Sequence, residues 1–247
     1  MGKAIRLVRQ RRNLVGWVSA SKMPEKSILP PLPKSEIDAL AAPLARGRVR
    51  PQRISKRGLD VTSALLALFL LAPLLLLIAV LIWVGDRKNP IFRQTRTGRY
   101  GKTFRIYKFR TMRVLEDGAV VQQASRMDAR ITTIGRVLRR TSLDELPQLV
   151  NVLKGDMSLV GPRPHAVAHD EFYGREILSY EHRFTAQPGL TGWAQINGSR
   201  GETPTIEHMR RRIELDLWYI ENQSFTLDVR IIIRTAWTEL TRRTNAY

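Results

Sequence analysis

The sequence predicts a mixed fold, mainly α-helical with a small β element, held at a membrane by one apolar segment. Three observations carry that reading. Residues 61–85 contain no charged side chain, and about 20 apolar residues suffice to span a bilayer core. "IFRQTRTGRYGKTFRIYKFRTM" (91–112) alternates in polarity around Gly98 and Gly101, the mark of a β-hairpin. Towards the C-terminus, residues 206–221 and 227–242 read as helices.

Taken in order, residues 1–52 form a basic tail in which Pro24, Pro30, Pro31, Pro33, Pro43 and Pro51 interrupt any period. Such a stretch is expected to be poorly ordered apart from one short helix at 35–44. Residues 53–86 hold the apolar helix and its flank, and 87–247 form the folded domain. The apolar run begins too deep for an ordinary signal peptide, and no small-residue cleavage site follows it. A run apolar on every face would need a large protein around it to be a soluble core helix.

Charge counting leaves the topology of this segment open. Residues 46–60 carry six Lys/Arg and residues 85–102 carry six. Positive charge marks the cytoplasmic side of a membrane, so the tie is compatible with a chain that enters and leaves by one face. Pro73, after Ala72, removes a helical hydrogen bond and supplies a bend; a kinked spanning helix is the other reading.

The 247 residues carry a formal charge of +19, and residues 1–57 alone hold 14 Lys/Arg against 3 Asp/Glu. Such a field favours anionic lipid, phosphorylated substrates or nucleic acid. The absence of cysteine excludes disulfides, a thiolate nucleophile and cysteine zinc sites. His165 and His169 stand at i,i+4 but lack a third ligand or an HExxH pattern. No GxGxxG, Walker A, GxSxG or EF-hand pattern is present.

Beyond the hairpin, 113–126 reads as loop, 141–154 as a helix ended by Gly155, 160–164 as a stiff turn, 165–180 as helix, and 187–201 as a Gly-rich loop or short strands. In the last helix Ile232, Ile233, Ala236, Trp237 and Leu240 share a stripe, which suits a core-facing helix or one lying in a lipid interface. Core packing is the expectation from pattern alone.

The densest chemistry lies in "RRTSLDELPQLVNVLKGDMSLVGPRP" (139–164). Ser142 and Glu145 have capping-box spacing, and Asp144 would lie in the first helical turn. The same geometry suits phosphate chemistry. Arg139 and Arg140 precede a helix start that attracts anions. A carboxylate there can attack phosphorus, and its neighbour can hold Mg²⁺, which takes one or two carboxylates plus substrate phosphates. Arg163, between Pro162 and Pro164, has the planar fork suited to phosphate. Lys108 and Arg110 share an alternating strand face, and Asp216 stands three residues before Tyr219 on a helix.

Together these stretches, with "KRGLD", "PGLTGWAQINGSRG" and "ELDLWYIENQSFTLDVRIIIRT", resemble the monotopic phosphoglycosyl transferases of bacteria, sugar transferases that begin exopolysaccharide, capsule or O-antigen assembly. The likeness covers about residues 56–235. It implies a re-entrant membrane helix with interfacial amphipathic helices, at the bacterial inner membrane with the catalytic domain on the cytoplasmic face. It also implies transfer of a sugar-1-phosphate, galactose or glucose, from a UDP-sugar to undecaprenyl phosphate with release of UMP. In that pattern Asp144 is the nucleophile, Glu145 supports it and helps bind Mg²⁺, and Asp216 matches a later catalytic acid. Arg139, Pro162, Arg163 and Pro164 match its phosphate site, and Lys56, Arg57 and Asp60 its pre-helix cluster. Ala72 stands where the family bend usually has serine. The resemblance leaves room for a homodimer and calls for no nucleic acid. The competing classes are a membrane-tethered binding module for anionic lipid or nucleic acid, and an inactive scaffold of a polysaccharide assembly complex.

Overall fold

The computed structural model describes residues 54–113 and 128–241. The tail, its short helix at 35–44 and nearly all of the loop at 113–126 lie outside the described residues. The fold is mainly helical: α1 (Ile54–Asp86), the strands β1 (Ile91–Thr97) and β2 (Thr103–Phe109), then α2 (Thr133–Arg140) and α3 (Gln148–Lys154). Strand β3 (Ser158–Val160), α4 (Val167–Glu176), β4 (Gly189–Thr191), α5 (Trp193–Ile196), α6 (Ile206–Asn222) and α7 (Phe225–Leu240) follow.

Helix α1 is long and apolar enough to cross a membrane, the one such helix among the described residues. Its 33 residues would extend about 50 Å if straight, well beyond a ~30 Å hydrocarbon core. Both of its ends pack on the folded domain. Ala64, Ala67 and Leu68 join a core with Ile106, Leu149, Val152, Leu159 and Ile231. Leu74, Leu75, Ile78, Ala79 and Ile82 join a second with Phe109, Ile134 and Leu138. Between these contacts, Phe69, Leu70, Ala72 and Pro73 are exposed.

The start of α1 is pinned by polar groups. Lys56 Nζ donates to the Val160 carbonyl (3.0 Å), Tyr219 Oη (3.3 Å) and Asp228 Oδ2 (2.9 Å), using all three of its donors. Tyr219 donates to the other Asp228 oxygen at 2.6 Å. Arg57 donates to the Val152 and Leu153 carbonyls at the end of α3 (2.6 and 2.8 Å), and Gly155 closes that helix at φ +86°. Asp60 accepts from Ser158 Oγ and Leu159 N.

Strands β1 and β2 form the expected antiparallel hairpin, Ile91 opposite Phe109 and Thr97 opposite Thr103. Strands β3 and β4 are parallel neighbours. Their contact needs glycine: a Cβ on Gly161 would lie 2.2 Å from the Gln187 carbonyl oxygen, and one on Gly189 2.1 Å from the Gly161 nitrogen. "VGPRP" and "QPGLTG" are thereby locked backbone to backbone.

Three expectations need correction. The helix anticipated at 141–154 is broken into a 3₁₀ turn (Leu143–Glu145) and α3. Pro147 has no N–H to offer the Leu143 carbonyl, which accepts from Leu146 N instead. The helix anticipated at 165–180 is only α4, followed by a 3₁₀ segment (Tyr180–Thr185). On α7, Asp228 and Ile231 face the core, whereas Ile233, Trp237 and Leu240 are 63%, 63% and 81% exposed. Of that stripe Ile232 packs on the core, whereas Ile233, Ala236, Trp237 and Leu240 face outward, so core packing holds at one edge of the stripe only.

Lys56→Met should destabilise the protein by about 3–5 kcal/mol, because Asp228 and Tyr219 would stay buried around a lost cation. Adding Asp228→Asn should recover part of the loss. Thermal unfolding in detergent micelles checks both; an unchanged midpoint in Lys56→Met would remove the anchor.

Candidate active site

The Asp144–Glu145 pair sits on the 3₁₀ turn between α2 and α3. Ser142, just before it, adopts φ +57° and makes no capping bond, so the expected capping box does not form. Glu145 turns its carboxylate to cations instead. Arg163 grips it as a fork, Nη1 to Oε2 at 3.0 Å and Nη2 to Oε1 at 2.5 Å, and Lys108 adds 2.7 Å to Oε1. Asp144 is half-buried, and its carboxylate makes no hydrogen bond or ion pair among the described residues.

Each cation is held by the fold. Lys108 projects from β2, which Asn151 of α3 fixes through Tyr107 N (3.0 Å) and the Arg105 carbonyl (2.7 Å). Arg163 stands between the buried Pro162 and Pro164. The Pro162 carbonyl accepts from Gly189 N at 2.9 Å, and the Arg163 carbonyl accepts from Arg183. Arg139, in the last turn of α2, adds its field to Asp144.

These surroundings drive the two acids apart. Burial, then the Glu145 charge, push Asp144 up to about 6, against the pull of Lys108, Arg139 and Arg163. Burial would also raise Glu145, but Arg163 and Lys108 outweigh it and hold this carboxyl well below the usual range. Desolvation lowers Lys108, with Glu145 opposing. One acid is thus a fixed anion locked to cations, and the other is a more basic carboxylate free to react.

Two expected site residues bond to groups other than the acid pair. Asp216 is buried on α6 and pairs with Arg183 at 3.2 Å, with no hydrogen bond or ion pair to either acid among the described residues. Arg183 links it to the site by donating to the Arg163 carbonyl. Arg110 lies past the end of β2 and donates to the Asn89 carbonyl at 3.0 Å. Arg200, quoted in "NGSRG" but not singled out, was missed: its guanidinium adds to the field on Glu145. Its only signal in the sequence was an arginine held in a glycine-rich turn.

The donor set can be tested against Mg²⁺. No group of three His, Asp or Glu suited to a metal occurs among the described residues. Mg²⁺ needs only one or two carboxylates when substrate phosphates complete its shell. Asp144 offers free oxygens and Glu145 its remaining lone pair, so the pair fits.

A half-buried carboxylate stands beside a cation-locked partner, within the field of Lys108, Arg139, Arg163 and Arg200, on a scaffold with one helix apolar enough to cross a membrane. The chain belongs to the bacterial sugar transferase family, which matches residues 51–242. It is 53% identical over 194 residues to a UDP-glucose:undecaprenyl-phosphate glucose-1-phosphate transferase of Caulobacter vibrioides, covering 78% of this chain and 72% of that one. The Escherichia coli protein of the same name is 51% identical over 185 residues, 75% of this chain, and the match spans 40% of its length. The exopolysaccharide production protein PSS of Rhizobium leguminosarum is 47% identical over 76% of this chain and 96% of its own.

Arg163→Met should move the Glu145 titration to higher pH, and Arg163→Lys should move it less. Carboxyl-carbon NMR of ¹³C-labelled protein reads this; an unmoved Glu145 would mean that the fork does not hold it down.

Proposed function

We propose that this chain transfers glucose-1-phosphate from UDP-glucose to undecaprenyl phosphate, releasing UMP, as an opening step of exopolysaccharide synthesis. The observation that carries the reading is the open Asp144 carboxylate beside the cation-locked Glu145. The relatives' names narrow the sugar: five named for glucose transfer are 47–53% identical, while one named for N-acetylgalactosamine is 43% identical.

The chemistry follows in two displacements. An Asp144 oxygen attacks the sugar-bearing phosphorus, the bond between the two phosphates breaks, and UMP departs with that electron pair. A phosphate oxygen of the lipid then attacks the same phosphorus, and the Asp144–phosphorus bond breaks to return the carboxylate. Arg163, Lys108, Arg139 and Arg200 hold the phosphoryl oxygens, where fixed charge acts most strongly in a partly desolvated site. Mg²⁺, held by Asp144, Glu145 and the donor phosphates, would neutralise charge on the diphosphate.

A lipid acceptor requires this site at a membrane surface. Both halves of α1 pack on the one domain while its middle, at Ala72–Pro73, is exposed. A crossing helix would carry its second half away from that domain. This supports a re-entrant helix whose bend dips into the bilayer, and the six Lys/Arg on each side of the apolar run favour the cytoplasmic face of the inner membrane for the domain. The exposed Phe225, Ile233, Trp237 and Leu240 of α7 support a second, interfacial seat.

Purified protein with undecaprenyl phosphate, Mg²⁺ and a panel of UDP-sugars should release UMP, fastest with UDP-glucose. Asp144→Asn should lower the rate by roughly 10³-fold or more, the scale of losing a covalent nucleophile; no release with any donor would sink the reading. Because the reactive form of Asp144 is the carboxylate, activity should fall as pH drops through about 6. Reporter tags before residue 61 and after residue 86 should both label from the cytoplasmic side; labelling from opposite sides would mean a spanning helix.

A further inference from the structure

We propose that Glu239, in the last turn of α7, is a positioning residue for the reaction: it holds Ser142 in the left-handed turn that aims the acid pair and fixes Arg200 beside that turn. Three side chains far apart in sequence close a triangle. Ser142 Oγ donates to Glu239 at 3.2 Å from either oxygen. Arg200 Nη2 donates to Ser142 Oγ at 2.8 Å, and Arg200 Nη1 pairs with Glu239 Oε1. The triangle is partly shielded from water, with the Arg200 and Glu239 side chains 17% and 25% exposed.

The geometry gives each member a task. Ser142 is one of three non-glycine residues at positive φ among those described. A left-handed serine persists only where its surroundings hold it, and here the holding bonds come from Glu239 and Arg200. The residues that follow it directly are Leu143, Asp144 and Glu145, so this conformation sets the direction of the pair. Arg200 has a flexible stem, and its bond to Ser142 needs a second tether to stay in place. Glu239 supplies that tether.

Glu239 also lies between Trp237 and Leu240, both exposed on the apolar side of α7. Whatever seats that side of the helix sets where Glu239 stands. This inference rests on the transferase reading above.

The test compares the parent with Glu239→Gln, Arg200→Gln, the double variant and the charge-exchanged pair Glu239→Arg/Arg200→Glu. Each single change should lower the kcat for UMP release by about 10- to 100-fold, the scale of a small misplacement. The double variant should be no worse than the worse single, because both break one device. The exchanged pair should recover the thermal midpoint but not kcat, since a carboxylate would then stand by Glu145. Recovery of both would reduce the triangle to a structural ion pair and overturn the proposal, as would full activity in Glu239→Gln. A readout without turnover separates this inference from the transferase reading. If Glu239 and Arg200 hold Ser142 in its left-handed conformation, losing Glu239 should let that residue relax. Ser142 Cα and Cβ chemical shifts that leave the left-handed range in ¹³C-labelled Glu239→Gln protein support the proposal even if no donor yields UMP; unmoved shifts overturn it.

Discussion

Glu145 in the grip of Arg163 and Lys108 is the contact on which the site depends. It neutralises one carboxylate and leaves its neighbour exposed to the full cost of burial, so two adjacent acids acquire opposite characters. It also joins three pieces of chain: the hairpin that carries Lys108, the 3₁₀ turn that carries the pair, and the proline-flanked turn that carries Arg163. Breaking it would free the cations and let the two carboxylates compete for the same proton.

The rest of the fold serves to keep that contact in place at a surface. Arg163 cannot swing because its turn is fastened on both sides, by the close glycine contact of β3 with β4 and by Arg183 with Asp216 behind it. The Lys56 anchor reaches the Val160 carbonyl two residues before Pro162, so the start of α1 and the phosphate turn share one strand end. Buried charges of this kind cost solvation energy and are retained only where every donor finds a partner. Here Lys56, Tyr219 and Asp228 satisfy one another, and the membrane helix is registered against the site.

Much of this was legible in the residues. The hairpin followed from alternation around two glycines, the long apolar helix from 25 uncharged residues, and the acid pair and the proline-flanked Arg163 from motif order. What failed did so for physical reasons. Pro147 breaks the helix that 141–154 suggested, and the turn that results leaves Asp144 half-buried outside the first turn of an α-helix, with no capping box beside it. The pairing of Asp216 with Arg183 was not visible either, because a sequence shows residue type but not partners 33 positions apart. Glu239 meets Ser142 across 97 positions, a pairing that neither period nor composition can reveal. The stripe on α7 was visible, but a helix for a lipid surface and one for a protein core have the same pattern.

The central claim is that Asp144 takes the phosphosugar covalently before the lipid arrives. Protein mixed with UDP-glucose and Mg²⁺ without any polyprenyl phosphate, quenched within the first turnover and weighed by mass spectrometry, tests it most directly. The account predicts release of UMP up to one equivalent of enzyme and a hexose-phosphate adduct on the peptide containing Asp144, discharged when undecaprenyl phosphate is added. UMP release that begins only once the lipid is present, with no adduct on that peptide, would contradict it.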